Sequence, residues 1–194
     1  MSEMLTIQER VAQQLVATID AALPSFLAGE VSLGVMTSAE RDEAIAVGTQ
    51  RFDPRGLDVP WFVPVLLTGP ADNEDESTGS GAGGFIDMAF SYRVQTQYGL
   101  AEGVDLVAEP ARGAERMGAR WVGFLIATLL ADPFVIESGT GERLAHEVDL
   151  IGADTPRSKV DGQVYYAPEV DLVVMSEVMR NNPYRGAGNT EGLV

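Results

Sequence analysis

Ile7, Val11, Leu15, Ile19 and Leu23 recur about every four residues, the spacing that stacks apolar side chains on one face of a helix. Thr6-Ile7-Gln8-Glu9 stands ahead of them in the form of a capping box, in which the threonine hydroxyl and the glutamate carboxylate each satisfy an end amide. The pattern predicts a helix that begins at Thr6, closes at Pro24 and packs its stripe on a sheet, since one apolar stripe is not stable alone. A second Thr-x-x-Glu, Thr37 to Glu40, opens a shorter predicted helix through about Val47, and Asp53-Pro54-Arg55-Gly56 follows as a turn signal.

The pattern then changes period. Val59 to Thr68 is rich in β-formers but holds Pro60 and Pro64, which lack a ladder donor, so it reads as an edge strand or a strand that starts late. Gly69 to Gly84 joins the acidic run Asp72 to Glu76 to a Gly/Ser stretch and is expected to be a flexible loop. From Phe85 to Tyr98 apolar and polar residues alternate strictly, a strand of about 46 Å at ~3.3 Å per residue. Its length suggests a hairpin arm or a sheet that continues into a neighbouring subunit. Pro110 sits at the start of a second long helix that runs to Ala131, apolar nearly all round in its later half and expected to be deeply buried there. Leu144 to Ile151 and Gln163 to Met175 read as strands, the latter interrupted at Pro168. Helices set apart from a mostly antiparallel sheet predict an α+β fold, with a long hairpin strand and two main helices on one sheet face. Residues 1–180 form the expected domain, and 181–194 an expected flexible tail.

Composition removes functions. Thirteen basic residues stand against twenty-nine acidic ones, a formal charge of −16, and only Lys159 among the basic residues is a lysine. Such a surface does not favour a general grip on nucleic acid or on an anionic membrane. The absence of cysteine excludes disulfides, thiolate metal sites and a cysteine nucleophile, and a single histidine, His146, excludes multi-histidine metal sites within one chain. The N-terminal Met-Ser-Glu-Met-Leu-Thr lacks the form of a secretory signal, and the most apolar stretch, Trp121 to Ala131, is about half a bilayer span. The expectation is a soluble protein made in the cytoplasm.

No chemical motif is complete. The glycines of 79–84 lead into a strand, without the Lys-Ser/Thr and helix of a phosphate-binding loop. Asp72 to Glu76 lacks the alternating donors and central glycine of a calcium loop. His146 lies among carboxylates that suit a general base, yet no G-x-S-x-G accompanies it. Arg112, Arg116 and Arg120, spaced by four on one helix, suit either intrahelical pairs or contact with acidic residues of a neighbouring subunit. No catalytic, cofactor-binding or metal residue is therefore assigned. The candidate interface residues are Asp72, Glu74, Asp75, Glu76, Arg112, Arg116 and Arg120.

Taken together, the helix Ile7 to Leu23, the alternation Ile86 to Tyr98, the helix Pro110 to Ala131 and the strand Val164 to Val174 resemble the layout of tail terminator proteins of long-tailed bacteriophages. That resemblance implies a structural, non-enzymatic virion subunit without a cofactor. It implies a ring, usually a hexamer, that caps the tail tube protein and joins it to the head connector while DNA passes without specific binding. The alternatives are another neck, head-completion or tube subunit, or a small acidic metal-assisted enzyme built around His146.

Overall fold

A computed structural model describes residues 6–52, 65–68, 76–80, 85–96, 98–99, 114–132, 134–160, 163–179 and 182–186. Both predicted capping boxes form. Helix α1, Ile7–Ser32, starts at Thr6, whose hydroxyl accepts from the Glu9 amide while the Glu9 carboxylate accepts from the Thr6 amide at 2.7 Å. Helix α2, Ser38–Val47, repeats the arrangement with Thr37 and Glu40. Helix α3, Ala114–Leu129, occupies most of the segment read from the second long helical pattern.

Pro24 does not close α1. An interior proline removes one helix hydrogen bond and costs about 3 kcal/mol, so the helix must be held beyond it. Pro24 lies on the exposed face, while Leu23 and Leu27 continue the buried stripe on the other side. Past the proline, Phe26 stacks on Phe124 of α3 with centroids 4.4 Å apart and meets Trp121 edge-on at 4.7 Å. Glu30 then pairs with Arg120. Tertiary contact outweighs the local stop signal, and the helix ends eight residues later. By length and composition α1 is also apolar enough to cross a membrane, which the weight placed on Trp121 to Ala131 overlooks. Here its apolar stripe forms one wall of the core.

The sheet is built on two strands of equal length. β4, Phe85–Gln95, pairs antiparallel with β11, Glu169–Met179, along the whole of both, from Phe85 opposite Met179 to Gln95 opposite Glu169. Each long strand is flanked on its outer side by two shorter ones. β2, Val65–Thr68, and β3, Glu76–Ser80, border β4, and β1, Thr49–Phe52, adds to β2 in parallel. β8, Glu147–Asp154, and β12, Asn182–Gly186, border β11. A second small sheet joins β5, Tyr98–Gly99, β10, Gln163–Tyr166, and β9, Arg157–Val160, while β6, Val135–Ile136, pairs with β7, Arg143–Ala145. The result is an α+β fold with a mostly antiparallel sheet.

Alternation on the long strands decides which face is covered. Phe90, Tyr92 and Val94 of β4 and Val170, Leu172, Val174 and Val178 of β11 are buried. They share one core with the stripe of α1 and with Trp121, Leu125 and Leu129 of α3. The Tyr92 hydroxyl donates to the Gln8 carbonyl at 3.0 Å, tying sheet to helix. Proline boundaries hold where they were expected: β2 begins directly after Pro64, and Pro168 separates β10 from β11.

Five further expectations change. The alternation ends at Gln95, with Tyr98–Gly99 a separate short strand in the other sheet. α3 is not buried all round, because it lies as an outer layer: Trp121, Leu125 and Leu129 face the core while Gly123 and Ala127 face out. Glu76–Ser80 is a strand paired to β4 inside the predicted loop, and Asn182–Gly186 is a strand paired to β11 inside the predicted tail. Finally, the length of β4 does not require a neighbouring subunit, because β11 supplies a partner of the same length in the same chain.

Candidate functional site

Charge collects on the side of the sheet turned away from α1 and α3. Residues of β4 and β11 that alternate with the buried ones are Asp87, Ala89, Ser91, Arg93 and Gln95, opposite Glu177, Met175, Val173, Asp171 and Glu169. β8 extends the same rows with Asp154 beside Glu169, Asp149 beside Val173 and Glu147 beside Met175. Every one of these side chains is half-buried or exposed. The face carries Asp87, Glu147, Asp149, Asp154, Glu169, Asp171 and Glu177, and among the described residues Arg93 is the basic residue set in these rows.

Arg93 is held by its cross-strand partner. Its Nε donates to Asp171 Oδ1 at 2.8 Å and its Nη2 to Oδ2 at 3.0 Å, and Glu169 lies at 3.7 Å. The hydrogen bonds to Asp171, with the charges of Glu169 and Asp171, push the guanidinium further up. Glu169 is not compensated to the same degree. Burial pushes its carboxyl above the usual range, Arg93 pulls it down, and the Asp171 and Asp154 carboxylates push it up again. Glu177 stands directly opposite Asp87 with no cation in the pair, an arrangement that costs a few tenths of a kcal/mol or more. The sheet thus tolerates like charge along one face, which does not favour phosphate.

The predicted interface residues are distributed differently. Asp72, Glu74, Asp75 and Arg112 lie outside the described residues. Glu76 opens β3, where its backbone pairs opposite Ala89 of β4. Arg116 belongs to the first turns of α3. Arg120 is directed inward along the chain: its Nε donates to Glu30 Oε1 at 2.7 Å and its Nη2 to Oε2 at 3.1 Å. With the Glu30 side chain 4% exposed and that of Arg120 25%, this is a pair between α1 and α3, and a neighbouring subunit is not needed to explain it.

A second ionic cluster fastens the β6–β7 hairpin to the start of α1. Arg10 donates to both carboxylate oxygens of Glu137 at 2.8 and 2.7 Å and to Glu142 at 2.5 Å. The Arg10 hydrogen bonds hold the Glu137 carboxyl below its usual range against the opposing effect of burial, with help from the Thr140 hydroxyl. The Ser138 amide donates to Gln14 on the next turn of α1. His146 sits between β7 and β8, half-buried, and its backbone amide donates to the Met175 carbonyl at 3.0 Å. Among the described residues no three of His, Asp and Glu converge to hold a metal ion.

Between α1 and α3 runs an open groove of about 440 Å³, lined by Ala22, Ser25, Phe26, Arg120, Phe124 and Thr128. Its aromatic wall belongs to the packing that carries α1 past Pro24. The acidic face went unnoticed in the sequence although its signal was present: the polar half of the alternation in 85–95, and acidic residues at alternate positions in 169–177. No protein-family model matches the chain, and no curated protein matches it in sequence.

Proposed function

We propose that the chain is a structural virion subunit that forms a ring at the head-proximal end of a phage tail, ending the tail tube and joining it to the head connector. The observation that carries this reading is the acidic face of the sheet, backed on its other side by α1 and α3. A collar through which DNA moves must present a surface that does not retain phosphates. Basic residues would bind by counterion release, and carboxylates prevent it. A face with like charges set opposite each other weakens the isolated sheet, so its retention fits a role in which repulsion is useful. The charge of −16 on each chain is multiplied around a hexamer, which favours smooth passage over specific contact.

The layout supports the same reading: an amphipathic first helix, long antiparallel strands and a second long helix on one sheet face. Negative-stain electron microscopy of the purified chain tests it. Single closed rings with an open centre are the expected result. Stacks that grow without limit would instead make it a tube subunit, and a discrete globular monomer at every concentration would count against a ring-forming role.

A further inference from the structure

We draw no further inference here: the strongest candidate, the open groove between α1 and α3 walled by Phe26 and Phe124 and continued by the exposed, uncharged positions Ala119, Gly123 and Ala127 of α3, is an unpartnered helix face, and nothing in the structure shows what covers it.

Discussion

Replacing Arg120 with methionine removes the guanidinium and keeps most of the side-chain bulk. In the native protein Arg120 makes two charge-assisted hydrogen bonds, 2.7 and 3.1 Å, to a carboxylate whose side chain is 4% exposed. The substitution leaves Glu30 buried with both of these donors gone. Breaking a buried pair from one side costs about 3–5 kcal/mol. Arg120 is itself 25% exposed, so water reaches the vacated position and the lower end, about 3 kcal/mol, is expected. Against a total stability of roughly 5–15 kcal/mol this is a large share. The double variant Glu30→Met/Arg120→Met removes both charges and leaves the Phe26–Trp121–Phe124 packing in place, so it should cost less than about 1 kcal/mol. Urea denaturation of the four proteins gives the cycle, with an expected coupling of about 2 kcal/mol or more and an unchanged denaturant slope. A single-variant cost below about 1 kcal/mol, or additive effects in the double variant, would refute the claim that this pair holds α1 beyond its proline.

Three further outcomes follow from the structure. In Gly118→Ala the new methyl meets Thr155 Cγ2 at 2.7 Å and Oγ1 at 2.9 Å, so despite better helix propensity the urea midpoint should fall by the equivalent of about 1 kcal/mol and recover in Gly118→Ala/Thr155→Ala. Glu169 has a raised carboxyl in the fold, so the stability linked to its proton is complete below the ordinary carboxylate range and lost as pH rises through the raised value. Glu169→Gln should therefore stabilise the protein by roughly 0.5 kcal/mol at neutral pH and have little effect in acid; thermal melts that show destabilisation at neutral pH would contradict this. Glu137 has the opposite sign: held low by Arg10, it contributes stability above the ordinary carboxylate range that disappears as pH falls through its lowered value. Arg10→Gln should cost about 2 kcal/mol at neutral pH and flatten the acid limb of the melting curve, with amide exchange rising first in the β6–β7 hairpin.

Local signals in the sequence determined local structure. Two capping boxes, each contained in four residues, set the starts of α1 and α2, because a cap is made by side chains and amides of the same turn. Alternation marked β4, and Pro64 and Pro168 marked strand boundaries, because side-chain direction and the missing donor are properties of the strand itself. Only the tertiary structure decided what depended on a distant partner. Pro24 is overridden by aromatic rings and a guanidinium on α3, about 100 positions away, that no local rule can weigh. Glu76–Ser80 becomes a strand because β4 offers it a ladder. Arg120 looks like an interface residue until Glu30 is seen beneath it. The acidic face shows the same division. A contiguous run such as Asp72 to Glu76 is visible on reading, whereas a face assembled from every second residue of strands such as β4 and β11, with Arg93 and Asp171 78 positions apart, exists only once the strands are in register.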